Sequence, residues 1–156
     1  MSVMKNIDDI DRQLLDILQD NSRITIRELS ERLNLSTTPI HERIKKLERN
    51  GFIKGHITLL DAAMVGCSLT AYAMVTLESH SRDVIDRFGR DVAQIPEVME
   101  CYYVSGSWDY LLKVQCRDMD AYHKLVVEKF SQLRIQQLHT VFVMSETKLT
   151  HKLPIL

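Results

Sequence analysis

The sequence predicts an α+β chain in two parts, an N-terminal winged helix-turn-helix followed by a C-terminal ferredoxin-like βαββαβ unit, and three observations carry that reading. Apolar residues recur at helical spacing as far as residue 49. From residue 68 they alternate at the period of a strand, and strands then interleave with helices. Between 61 and 67 neither period holds, so that segment reads as a linker. The expected division is 1–60, 61–67 and 68–156.

In the first part, Asp8 or Asp9 can cap a helix whose buried stripe is Ile10, Leu14, Leu15, Ile17 and Leu18, ending near Asp20-Asn21. Thr25-Ile26-Arg27-Glu28 is a capping box opening a second, short helix with Ile26, Leu29 and Leu33 inward. Asn34-Leu35-Ser36 makes a tight turn into a third, with Ser36 as its cap, Pro39 in its first turn and Gly51 as a left-handed stop. Ile40, Ile44 and Leu47 form its inner stripe. Thr38, Glu42, Lys45 and Arg49 lie opposite, with His41 and Lys46 on the flanks. Such spacings also suit an ordinary helical hairpin. A basic outer face on the second helix of the pair is what a helix-turn-helix lays in the DNA major groove. Residues 52–60 read as two short extended pieces broken at Gly55, a small wing and a connecting strand.

In the second part, Leu69, Ala71, Ala73, Val75 and Leu77 make one apolar strand face. Ser81 can cap a helix through Val84, Ile85, Phe88, Val92 and Ile95, closed by Pro96. Strands are expected at 98–104 and 110–116, joined by Ser105-Gly106-Ser107-Trp108-Asp109. Asp118 can cap a helix burying Tyr122, Leu125, Val126, Phe130 and Leu133, and a last strand is expected at 137–145. Two helices over one face of a four-stranded sheet leave the other bare, and Tyr102, Met74, Val141 and Val143 are candidates for it. That face must be polar or covered, so sheet-mediated self-association is expected. A two-fold dimer would set two recognition helices against successive major-groove faces.

Composition bounds the function. Hydrophobic residues make up 45% of 156, ample for a core, and no apolar run approaches the ~20 residues of a membrane span. A soluble, unexported, cytoplasmic protein is expected. Cys67, Cys101 and Cys116 are odd in number and lack metal-ligand spacing, so no disulfide, metal or cofactor is expected. The net charge of −1 hides an asymmetry: residues 23–56 hold eight Lys or Arg against four Glu. The positive excess coincides with the candidate recognition helix. No His-Glu-x-x-His, Gly-x-Ser-x-Gly, Walker or dinucleotide-binding motif occurs, and the six histidines have no ligand spacing, so no enzyme is indicated.

Lys45, Lys46 and Arg49 are placed to touch phosphate, whereas Thr37, Thr38 and His41 sit where base edges are read. Ser36 or its neighbouring amides could hold a phosphate. Arg43 lies nearer the inner stripe, where an internal salt bridge competes with DNA contact, and Glu42 reads as a partner for Lys45 or Lys46. The turn at 105–109 is the best small-molecule candidate. Gly106 permits close approach, successive N–H groups can hold a carboxylate, and Asp109 could pair with an ammonium. The same residues could simply close a hairpin, with Asp109 capping its own backbone.

The stretches Ile-Asp-Arg-Gln-Leu-Leu, Leu-Ser-Glu-Arg-Leu-Asn-Leu-Ser and Arg-Ile-Lys-Lys-Leu-Glu-Arg-Asn-Gly-Phe-Ile, within 8–61, resemble the DNA-binding domain of the leucine-responsive and asparagine-regulator (Lrp/AsnC) family. Val-Ser-Gly-Ser-Trp-Asp-Tyr-Leu-Leu at 104–112 resembles its regulatory domain, and the likeness covers nearly the whole chain. The resemblance implies a cytoplasmic transcription regulator that binds double-stranded DNA, forms dimers and often octamers, and responds to an amino acid. It matches Gly106 and Asp109 to the family's Gly-x-x-Asp loop, which forms effector sites between dimers. Tyr103, Val104, Ser105, Ser107, Val141, Phe142 and Val143 would be neighbours, and Trp108 would either wall the pocket or pack between subunits. Thr37 stands where the family commonly has proline and His41 where it has an apolar residue, so the operator does not transfer from relatives. Two rivals share the architecture: a sirohaem-decarboxylase-like enzyme gripping tetrapyrrole carboxylates, with His139 as the candidate grip, and a DNA-packing protein without an effector.

Overall fold

The computed structural model describes residues 7–155, so the outer ends of the expected domains, 1–6 and 156, lie outside the described residues. The chain forms two compact units. One runs to Thr58 and takes back the residues from Lys148 onward; the other spans Leu59–Thr147.

The first unit is built of α1 (Asp9–Asp20), α2 (Ile26–Leu33) and α3 (Thr37–Arg49). Asp8 caps α1, its carboxylate accepting the Asp11 N–H at 2.8 Å. Thr25 and Glu28 close the reciprocal box on α2, with bonds of 2.7 and 3.2 Å between each side chain and the other's amide. Asn34, at φ 51°, turns the chain left-handed between α2 and α3. Ser36 takes the extended cap conformation but makes no side-chain cap bond, so its hydroxyl is not spent on the helix. Gly51, at φ +80°, stops α3. Leu14, Ile24, Leu29, Ile40 and Leu47 are buried together, and Ile10, Ile17, Ile26, Leu33 and Ile44 pack around them.

Two features depart from expectation. Residues 52–60 form no ladder, only the Phe52 and Ile53 amides returning to the Leu47 carbonyl. Ile57, Leu59 and Leu60 stand exposed, because a single extended segment finds no partner strand among the described residues. The last residues, expected with the C-terminal domain, group with the first unit instead. Lys152 Nζ lies 3.0 Å from Asp16 and 2.7 Å from Asp20, and the Leu153 amide donates to Gln19 at 2.7 Å. Within the expected linker, Asp61 caps a turn by accepting the Met64 N–H at 3.1 Å.

The second unit has β1 (Leu69–Leu77), α4 (Arg82–Val92), β2 (Val98–Tyr103), β3 (Tyr110–Cys116), α5 (Met119–Glu128) and β4 (Ile135–Phe142). The sheet order is β2-β3-β1-β4, antiparallel throughout, which is the ferredoxin-like arrangement. Ala71, Ala73, Val75 and Leu77 of β1, with Leu112 and Val114 of β3, form the floor against which Phe88, Val92, Tyr122 and Leu125 of the helices pack. The two alanines leave room for the helices to approach.

The last strand lies earlier than its expected 137–145. A register shift at Thr76/Leu77 lets it start at Ile135, and beyond Phe142 it continues only through the Val143 amide to Thr70. On the opposite sheet face the register places Met74 beside His139, Tyr72 beside Val141, and Tyr102 beside Leu111. All four residues expected on the uncovered face are there, with Tyr102, Val141 and Val143 exposed.

Candidate nucleic-acid interface and effector loop

Ser36, Thr37, Thr38, His41, Lys45, Lys46 and Arg49 are all exposed along one side of α3. Helical periodicity produces this directly, since burying Ile40 and Leu47 turns the intervening polar positions outward. Arg43 is committed to the fold. Its Nη1 donates to Asp8 at 2.6 Å and to Asp11 at 2.7 Å, joining α3 to α1. The hydrogen bonds to Asp8 and Asp11 raise the Arg43 pKa further. The Asp11 amide and the Arg43 guanidinium hold the Asp8 carboxyl below the usual aspartate value.

The Asp11 side chain is 1% exposed, and its second oxygen has no hydrogen-bond partner. Lys46 Nζ lies 3.9 Å from that oxygen. Lys46 therefore divides its charge between the fold and the surface, whereas Lys45 and Arg49 make no salt bridge among the described residues. Glu42, expected to pair with Lys45 or Lys46, makes none with either. Asp8, the cap of α1, and Asp11 within it hold that role for Arg43 and Lys46 at separations of 32 to 35 residues, which no local spacing reveals.

In the second unit, the loop between β2 and β3 is closed by the Val104 amide donating to the Asp109 carbonyl at 2.9 Å, and by the Asp109 amide donating to Val75 at 2.8 Å. Gly106, at φ +114°, makes the turn, a conformation that side-chain-bearing residues rarely adopt. Among the described residues, the amides of Ser105, Gly106, Ser107 and Trp108 donate to no protein acceptor. The Asp109 carboxylate, 15% exposed, accepts the Leu77 N–H and the His80 imidazole N–H, both at 2.8 Å. Burial pushes its pKa up, and the hydrogen bonds from Leu77 and His80 outweigh that, leaving it below the usual carboxylate range.

The other expected effector neighbours do not share one face. Val141 and Val143 lie on the uncovered side of the sheet, while Phe142 points to the helices and meets Tyr122 edge-on at 5.2 Å. Tyr103 meets Tyr110 at 5.2 Å, also toward the helices. Strand alternation forces this split: neighbours in sequence cannot line one side. Trp108 stacks on His139 at 5.8 Å, so His139 is a wall for the loop's tryptophan. His80 had no signal in the sequence, since 29 residues separate it from the carboxylate it holds.

An exposed basic recognition helix on one unit and a ferredoxin-like unit with an open amide loop together define a DNA-binding regulator carrying a ligand-binding module. Comparison with known proteins agrees. The family described as winged helix-turn-helix DNA-binding matches residues 7–54, and the Lrp/AsnC ligand binding domain matches residues 70–153. The leucine-responsive regulatory protein of Escherichia coli is 41% identical over 152 residues, covering 97% of this chain and 93% of the relative. Among solved structures, an AsnC family transcriptional regulator from Agrobacterium tumefaciens superposes with a TM-score of 0.91 at 36% identity, covering 95% of this chain and 97% of the other. A transcriptional regulator from Neisseria meningitidis in complex with L-methionine gives 0.91 at 35% identity, covering 96% and 97%. The chain belongs to the Lrp/AsnC family of transcription regulators.

Proposed function

We propose that this regulator is an amino-acid sensor without catalytic activity. It binds double-stranded DNA through α3 as a cytoplasmic homo-oligomer, and its DNA affinity or assembly shifts when a small amino acid occupies the loop at 105–109 between dimers. The observation that carries the reading is the loop itself. Four amides without acceptors are the complement of a carboxylate, and beside them stands the Asp109 carboxylate, the complement of an ammonium. The methionine complex of the Neisseria relative supports an amino acid as the ligand class.

In DNA binding, Lys45, Lys46 and Arg49 touch phosphate, Thr37, Thr38 and His41 meet base edges, and Ser36 offers its unspent hydroxyl to the backbone. The uncovered sheet face with Tyr102, Val141 and Val143 is the dimer contact, and further association to octamers brings the loops of different dimers together. Val141 and Val143 then reach the effector from the open face, with Trp108 as a wall. Tyr103 and Phe142 shape the site from behind the sheet.

An effector at such a junction regulates only through its differential affinity for two assembly states, a coupling of about 1 to 3 kcal/mol in typical cases. The test is DNA binding to the region upstream of the protein's own gene across a salt series, repeated with each of the twenty amino acids. A shift produced by one amino acid is the expected result. Specific binding that none of them alters would leave a DNA-packing protein. Absence of DNA binding at any salt would overturn the reading and bring tetrapyrrole binding forward.

A further inference from the structure

We propose that His80 is an internal competitor for the effector, its imidazole N–H occupying the Asp109 carboxylate oxygen that a ligand ammonium takes. This rests on the amino-acid reading of the loop and deepens it. The two oxygens of Asp109 are held differently. The Leu77 amide fixes Oδ2 at 2.8 Å from within β1, as part of the sheet's own end. Oδ1 is held at 2.8 Å by the His80 side chain, which is 62% exposed and sits on the short connection between β1 and α4. A carboxylate only accepts, so the imidazole Nε2 carries the proton in this bond.

The arrangement separates a permanent bond from a replaceable one. Removing the Leu77 bond would orphan a backbone donor at the end of a buried strand. Removing the His80 bond only returns an exposed ring to water. An ammonium is the stronger donor for that oxygen, since it adds the attraction of a full positive charge to the hydrogen bond. The amides at 105–108 lie along the same loop and would take the ligand carboxylate, so a free amino acid is the species that satisfies both ends. The imidazole keeps Asp109 satisfied and oriented. Each amino acid that binds has to displace it.

The test is calorimetric titration of the full-length protein and its His80→Ala and His80→Gln variants with each of the twenty amino acids. The amino acid bound most tightly is then compared with its deaminated carboxylic acid. His80→Ala should tighten amino-acid binding about fivefold, the net worth of an exposed hydrogen bond, while His80→Gln, which keeps a side-chain N–H of similar reach, stays near the native affinity. Binding of the deaminated acid should be the same in all three proteins, because it brings no ammonium to compete. Unchanged or weaker amino-acid binding in His80→Ala would overturn the proposal and leave the effector reading intact. An equal gain for the deaminated acid would mean that the variant merely loosens the loop, and would also overturn it. If none of the twenty binds the native protein, the effector reading itself fails.

Discussion

Replacing Arg43 by methionine isolates the charge cluster between α1 and α3. The Asp11 side chain is 1% exposed and Arg43 29% exposed, and one guanidinium nitrogen bonds both Asp11 and Asp8. Removing one partner of a buried pair costs about 3 to 5 kcal/mol, because the remaining charge is left uncompensated. Two corrections apply here. Lys46, at 3.9 Å, stays to offset part of the Asp11 charge, and the half-exposed Asp8 arm contributes little, since exposed pairs are worth roughly 0 to 1 kcal/mol. The expected loss is about 2 to 3 kcal/mol. It should be read from urea unfolding followed by circular dichroism at 222 nm, because the single tryptophan, Trp108, belongs to the other unit. Adding Asp11→Leu to Arg43→Met should recover most of the loss, as apolar replacement of a buried ion pair often does. Under conditions where the variant is folded, the salt dependence of DNA binding should match the native slope. A stability loss below about 1 kcal/mol, together with a slope flattened by one unit, would show Arg43 on phosphate and refute the reasoning.

Lys45→Ala with Arg49→Ala should weaken binding to all DNA sequences alike and flatten the salt slope by ~2 units, measured by fluorescence anisotropy across a salt series. On the proposed dimer contact, Val141→Glu should separate the subunits, because a carboxylate placed there is left without a partner; sedimentation velocity reads the change, and an unaltered mass would remove this face from the interface. Asp109→Ala should abolish the effector response while DNA binding persists. The pH dependence has a definite sign. Asp8 and Asp109 have folded pKa values below their unfolded ones, so their stabilisation is fully present above the ordinary value of 3.8 and is lost as pH falls through the lower folded values. Calorimetric melting temperatures should show that loss below about pH 4; a Glu97→Gln variant, which removes a third lowered acid, should soften it.

The local rules carried the helices. The Thr25/Glu28 box, the Asp8 and Asp118 caps and the Gly51 stop all lie where short-range hydrogen bonding demanded them. The period-2 run at β1 announced its buried face, and the open face followed from it. Residues 52–60 are not paired as a wing, because pairing needs a second strand and none of the described residues supplies one. The last strand was displaced because the shift at Thr76/Leu77 is a property of two strands together.

The candidate sites divide in the same way. The outward residues of α3 follow from a period that a single helix imposes on itself. The partners of Arg43, the clasp of Lys152 on α1 and the hold of His80 on Asp109 join residues 29 to 136 positions apart. By itself, then, the amino-acid sequence determined which segments are helices, where β1, β2 and β3 lie and which faces they bury, and which loop can turn left-handed at Gly106. Only the tertiary structure decided which acid holds which cation, whether a carboxylate is free or occupied, and on which side of the sheet Phe142 stands. Secondary structure answers to hydrogen bonds and burial within a few residues, whereas charge pairing answers to distances that exist only once the chain has folded.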